Sequence, residues 1–198
     1  MPVDRRDLRR QLLALASNQG GYFTASEAKD IGYSYQAQAY HRQSGNWIQI
    51  DRAIYRLLEW PPSEHDDLIR WSLWAAGRAV VSYETALATH EVGEFEAPRI
   101  HLTVPHGFRK DDDALVLRKA DLPDEDIEDR GGFRITTVAR SLIDVASLAP
   151  DQDQLARAIE EALENGKVTA RRLRSRAEAV NPRGALFIER AMPQVRTG

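Results

Sequence analysis

An α+β fold in two parts is what the sequence predicts, and three observations predict it. Between residues 24 and 57 two short helical segments, separated by Gly32, run into an apolar ribbon. Around residues 100–104 apolar and polar side chains alternate as on a half-buried strand, and further strand-like runs lie on either side. After residue 150 the apolar residues fall into helical stripes that continue to the end of the chain. The first observation predicts a winged helix-turn-helix domain over residues 1–62. The other two predict a mixed α/β C-terminal domain over residues 63–198 that ends in helices.

The N-terminal elements follow from local chemistry. Residues 4–16 are predicted helical because Leu8, Leu12 and Leu15 recur at i, i+4 and i+7, widened by Leu13 and Ala16. Arg5, Arg6, Arg9 and Arg10 cover the opposite face, as a solvated surface or as phosphate contacts. Gly20-Gly21 ends this helix, and Tyr22-Phe23 suits a short strand. Thr24-Ala25-Ser26-Glu27 has the spacing of a capping box. Gly32 turns the chain, Ser34 caps the next helix, and Gly45 stops it. Apolar residues on either side of Asp51-Arg52-Ala53 read as a hairpin, the wing.

A winged helix-turn-helix ordinarily places its second helix in a DNA major groove. Ala37, Tyr40, His41 and Ser44 share one face of that helix and are assigned to the core. Gln36, Gln38 and Arg42 are then the predicted base readers, because glutamine pairs with adenine edges and arginine with guanine. Gln43 joins them on the outer face, while Ser34, Tyr35, Arg52 and Arg56 are expected to position on phosphates. A winged helix that docks protein and never touches DNA is the competing reading.

Pro61-Pro62 marks the predicted boundary, since two prolines suit neither a helix interior nor a central strand. A helix over 66–76 with Leu68, Trp71 and Ala75 inward follows. Next come a strand at 79–81, a helix capped by Ser82, and strands at 100–104, 114–117 and 133–136. Thr137 caps a helix to Leu148, in which Arg140 and Asp144 stand at i, i+4 and can pair. The acidic stretch 111–130, nine Asp/Glu against three Lys/Arg, reads most simply as a solvated loop, with competition with DNA or binding of a basic partner as alternatives. Asp151 and Gln154 open the next helix with a second capping box, and Leu155, Ala158, Ile159, Ala162 and Leu163 form its stripe. A basic helix with Arg171, Arg172, Arg174 and Arg176 precedes a last helix after Pro182.

Composition narrows the function classes. The chain has 198 residues, 42% of them hydrophobic, enough for packed cores. It has no cysteine, which excludes disulfides and thiolate metal sites. The net charge of −3 does not favour nucleic acid overall, but residues 1–60 hold eight Lys/Arg against six Asp/Glu, and residues 166–198 hold eight against two. The charged N-terminus and the lack of a long apolar run predict a soluble cytoplasmic protein without a membrane partner.

No sequence signature of catalysis is present. There is no glycine-rich phosphate loop, no GxSxG and no HExxH. His41, His65, His90, His101 and His106 are dispersed, although Glu84, His90, Glu91, His101 and His106 leave a metal site open. The expectation is a protein with no resident cofactor or metal.

The runs GYSYQAQAYHRQSGNWIQIDRAIYRL, AVVSYETALATH, APRIHLTVP and FRITTVARSLIDVA resemble, in this order, the AbiEi family, antitoxins of type IV toxin–antitoxin systems. The resemblance spans roughly residues 5–165. It implies an N-terminal winged helix that binds operator repeats and represses its own operon. It also implies a C-terminal antitoxin domain that counters a nucleotidyltransferase toxin. Carried onto this sequence, the DNA-reading positions are those from Ser34 to Gln43 and the wing at Arg52. Related sequences often carry a basic-Gly turn where this chain has Asp51-Arg52-Ala53. The basic segment around Arg171 and Arg172 matches the family in character, as a second DNA contact, a toxin contact or a solvated face. Similar front halves also precede restriction-endonuclease-like domains. The Glu-x-Lys those domains need occurs here only as Glu27-Ala28-Lys29, on the first helix of the DNA-binding motif. The expected activity is therefore binding rather than catalysis; an enzyme that modifies the toxin using a nucleotide is the alternative.

Overall fold

The computed structural model describes residues 4–193. It contains two compact units, one of residues 1–79 with 129–134 and one of residues 80–128 with 135–198. The first unit thus runs past Pro61-Pro62 and takes in one further helix and a distant hairpin tip.

In the first unit, α1 (Arg5–Ser17) is capped by Asp4, whose carboxylate accepts the Arg6 N–H at 2.9 Å. It leads through a glycine turn to β1 (Tyr22–Thr24), α2 (Ala25–Ile31) and α3 (Tyr35–Gln43). The ribbon β2 (Trp47–Asp51) and β3 (Ile54–Leu57) follows, then α4 (Asp66–Trp74). The sheet order is β1-β3-β2, antiparallel throughout. Leu12, Ala16, Phe23, Ala28, Tyr33, Trp47 and Leu57 form the core. Phe23 lies edge-on to Trp47 with ring centres 4.8 Å apart, the arrangement aromatic quadrupoles favour. Leu68, Trp71 and Ala75 of the α4 segment are buried, as their spacing predicts.

The second unit is built on β4 (Val80–Val81), α5 (Tyr83–Thr89), β5 (Ile100–Val104), β6 (Leu115–Lys119), β7 (Ile127–Asp129) and β8 (Arg134–Thr136). The sheet order is β6-β5-β4-β8-β7. β4 pairs antiparallel with β5 and parallel with β8, and β5 pairs parallel with β6. Four helices complete it: α6 (Val138–Ser147), α7 (Gln152–Glu164), α8 (Ala170–Val180) and α9 (Pro182–Ala191). Residues 138–146 of α6 are all buried, and α5, α7, α8 and α9 pack around it. A helix enclosed on every side needs its polar residues paired, and this one pairs Arg140 with Asp144 at 2.9 Å.

Seven of the nine acids in the stretch 111–130 are exposed, as its composition predicts, but Asp126 is not. Asp126, 1% exposed, lies in a 3-10 turn (Asp124–Asp126) leading into β7. Its carboxylate meets Arg140 Nη1 at 2.7 Å and Arg176 Nε and Nη2 at 2.7 and 2.8 Å. Arg176 also meets Glu125 at 2.7 Å, and Arg174 meets Glu189 at 2.9 Å. Half of the basic face of α8 is therefore spent on internal ion pairs. The predicted second capping box is one-way: Asp151 accepts from the Gln154 N–H, while the Gln154 side chain donates to the Glu94 carbonyl.

Two of the histidines considered as metal ligands serve internal contacts. His90 Nε2 donates to the Thr136 carbonyl at 2.8 Å, and His101 Nδ1 lies 2.7 Å from Glu84. Among the described residues no three potential ligands gather into a metal site.

Candidate nucleic-acid interface

The local signals around α2 and α3 form the predicted bonds. Thr24 Oγ1 accepts from the Glu27 N–H at 3.2 Å, and Glu27 Oε2 accepts from the Thr24 N–H at 2.6 Å, closing the capping box. Gly32 carries the turn, with its N–H on the Lys29 carbonyl at 2.9 Å. Ser34 Oγ accepts from the Ala37 N–H at 3.2 Å and so starts α3.

The rotation of α3 differs from its sequence assignment. Gln38 is 4% exposed and Tyr40 is 64% exposed. The Gln38 amide donates to the carbonyls of Ala25 and Tyr33, each at 3.0 Å, and so ties α3 to the start of α2 and to the turn. Gln38 cannot read a base from that position, and its assignment as a base reader is corrected. A buried amide that satisfies two carbonyls is instead part of the fold. Gln38→Ala should lower the stability of the N-terminal unit by about 1–3 kcal/mol, measured by chemical denaturation, and leave sequence preference on DNA unchanged. A shifted base preference at unchanged stability would contradict this placement.

The inward side of α3 runs through Ala37, Gln38 and His41. His41 stacks on Trp47 at 4.8 Å with planes 13° apart, and burial lowers its pKa. The outward side presents Tyr35, Gln36, Tyr40, Arg42 and Gln43, all exposed. Tyr40 is the residue that sequence reasoning missed. Its helical spacing with Ala37 and Ser44 suggested an apolar stripe; the signal against it was the polar Gln38 one turn from Ser34. Arg42 Nη1 lies 3.2 Å from Gln49 Oε1 on β2, an exposed contact that steadies the guanidinium without burying it. Lys29 Nζ lies 5.1 Å from the centre of the Tyr35 ring, holding a cation beside the start of α3.

At the wing, Arg52 is exposed at the turn, where Ala53 takes a left-handed φ of 61°. The Asp51 carboxylate accepts the Arg52 N–H at 2.6 Å and lies 3.7 Å from Arg70, which offsets its charge beside the wing tip. Arg56 is not turned outward as its assignment to phosphate expects, and that placement too is corrected. It pairs with Asp66 at 2.9 Å, their side chains only 15% and 21% exposed, and its guanidinium lies 5.7 Å from the Tyr22 ring centre. A half-buried pair of this kind would have to break before Arg56 could reach outward. Of the arginines on α1, Arg9 pairs with Glu59 at 3.4 Å and Arg10 with Asp7 at 2.9 Å. Such surface pairs are weak and exchange readily for phosphate. Arg171 and Arg172 lie on α8 in the second unit, both exposed.

No helix of the described residues is long and apolar enough to cross a membrane. Among proteins of solved structure, the chain is similar to the RV2827C protein of Mycobacterium tuberculosis. The two are 13% identical with a TM-score of 0.56, and the match covers 93% of this chain and 77% of that one. At that identity the likeness concerns the fold alone. No curated protein matches the chain. Residues 10–58, which run from α1 through the wing, match the family model of the AbiEi antitoxin transcriptional regulators. The α1-to-wing segment is thus similar to that of the AbiEi antitoxin transcriptional regulators, and the likeness spans about a quarter of the chain.

Proposed function

We propose that this protein is a DNA-binding repressor and antitoxin of a type IV toxin–antitoxin system. In this reading α3 enters the major groove of operator DNA and the protein represses its own operon. The observation that carries the reading is the outward side of α3, where Gln36, Arg42 and Gln43 stand exposed between Tyr35 and Tyr40. These are side chains that can pair with base edges, flanked by phenols that can donate to phosphates. Ser34 and Arg52 are the accompanying backbone contacts. The chain acts in the cytoplasm, by binding rather than catalysis, and its protein partner is a nucleotidyltransferase toxin.

The test is titration of the protein with its own upstream duplex and with a scrambled one, at two salt concentrations. Specific binding that weakens with salt is expected, because phosphate contacts release counterions. Arg42→Ala should cost about 1–3 kcal/mol of operator binding and relax the preference for one base pair. A variant that binds as tightly as the parent would remove α3 as the reading element. Equal, salt-insensitive response to both duplexes would make the module a protein-docking one.

A further inference from the structure

A cavity of about 370 Å³ opens in the second unit, and its walls are polar and cationic. Asp126, Thr137, Thr169, Arg171, Arg172 and Arg176 line it, with Glu125 and Ser175 beside them. The two carboxylates do not claim the two outer arginines. Arg176 meets Asp126 at 2.7 and 2.8 Å and Glu125 at 2.7 Å, and Arg140 meets Asp126 at 2.7 Å. Burial would raise the Asp126 carboxyl, but hydrogen bonds from Arg176 and Arg140 outweigh it and hold the group below the usual carboxylate range. It stays charged and stays committed to those two arginines. Arg171 and Arg172 are exposed and have no ion pair among the described residues.

The hydroxyls add donors of a particular kind. Thr169 Oγ1 accepts the Arg172 N–H at 3.2 Å, and Thr137 Oγ1 accepts the Arg140 N–H at 3.3 Å. A hydroxyl used as an acceptor still has its own proton to give. The cavity therefore offers two uncommitted guanidiniums and up to three hydroxyl donors, while its buried carboxylate, Asp126, is already committed to Arg140 and Arg176. The complementary ligand carries at least two negative charges and many acceptor oxygens on a compact group. A carboxylate supplies too few. A DNA phosphodiester carries one charge and has chain on both sides, which suits a ridge rather than a recess.

We propose that this cavity binds the terminal phosphates of a small phosphate ester, of the size of a nucleoside diphosphate. The volume falls in the range of small-molecule pockets. The site belongs to the second unit and α3 to the first, and the inference does not depend on how the first unit meets DNA.

Isothermal titration of the full chain with ADP, pyrophosphate and adenosine tests it, alongside the double variant Arg171→Gln, Arg172→Gln. ADP and pyrophosphate should bind, pyrophosphate should displace ADP, and adenosine should give no signal. The double variant should bind ADP about tenfold more weakly or worse while melting at the same temperature, since only exposed side chains change. Equal binding by parent and variant overturns the proposal. So does an absence of ADP and pyrophosphate binding in the parent. If that absence came with weakened duplex binding by the variant, Arg171 and Arg172 would be a DNA-backbone contact instead.

Discussion

Asp126→Ala should destabilise the C-terminal unit by about 3–5 kcal/mol at neutral pH. The reason is the charge left behind. Arg140, 8% exposed, would keep only Asp144 as a partner, at 2.9 Å. That partner is a poor one: burial pushes the Asp144 carboxyl up to about 6, and its Oδ2 has no hydrogen-bond donor. The two acids also respond to pH in opposite senses. Asp126 is held below its ordinary value of 3.8, so its stabilisation is present above that value and lost as pH falls through the lower folded one. Asp144 is raised, so its ionisation costs stability above about 6, and that cost fades as pH falls towards 3.8. Urea unfolding of parent and variant at neutral pH and under strong acid checks both. The gap between them should be wide at neutral pH and narrow in acid. Coincident neutral unfolding curves would show that Arg140 finds other solvation and that the ion-pair hub is dispensable.

Gly21→Ala should cost about 3 kcal/mol or more in the N-terminal unit, from two separable sources. Gly21 has a φ of +84°, where a Cβ meets its own backbone. That Cβ would also lie 2.2 Å from Trp60 Cγ and 2.5 Å from Trp60 Cβ, and the latter cannot swing aside. The backbone is pinned as well, with the Gly21 N–H on the Ala16 carbonyl at 2.8 Å and the Leu57 N–H on the Gly21 carbonyl at 3.0 Å. Gly45 provides the comparison: its φ is +76°, and nothing lies within 4 Å of its notional Cβ. Gly45→Ala should therefore lose only the conformational part, about 1–2 kcal/mol. Melting temperatures of the two variants read the steric part directly. Equal shifts would mean that Trp60 relaxes at no cost.

What could be read from sequence was what is encoded between near neighbours. The Thr24–Glu27 capping box, the Gly32 turn and the Ser34 cap each involve residues no more than three apart, and all three form. The rotation of α3 was not legible, because face assignment by apolarity favoured Tyr40 over Gln38. The fold instead needs an amide there, to satisfy carbonyls 13 and 5 residues away. The Arg56–Asp66 pair was hidden for the same reason: nothing local links β3 to α4 across ten residues. Asp126 shows the limit most clearly. Its partners stand 14 and 50 residues on, so a carboxylate at the centre of an ion-pair hub was indistinguishable from the solvated acids around it.

The hairpin tip at residues 129–134 belongs to the first unit although the strands it joins run into the second. Gly132 shows how closely it is seated: a Cβ there would come within 3.1 Å of Gln19 Cα and 3.2 Å of the Ile69 side chain. Phe133 meets His65 edge-on at 5.4 Å. The chain accordingly crosses between the units three times rather than once. A single recombination event can pass the α1-to-wing segment from one gene to another, but not this compact unit with all its pieces. Descendants of such an exchange would inherit an α1-to-wing segment whose supporting surface was selected against a different hairpin. Under the proposed function, operator specificity would then change more readily by substitution on the outer face of α3 than by exchange of the whole unit.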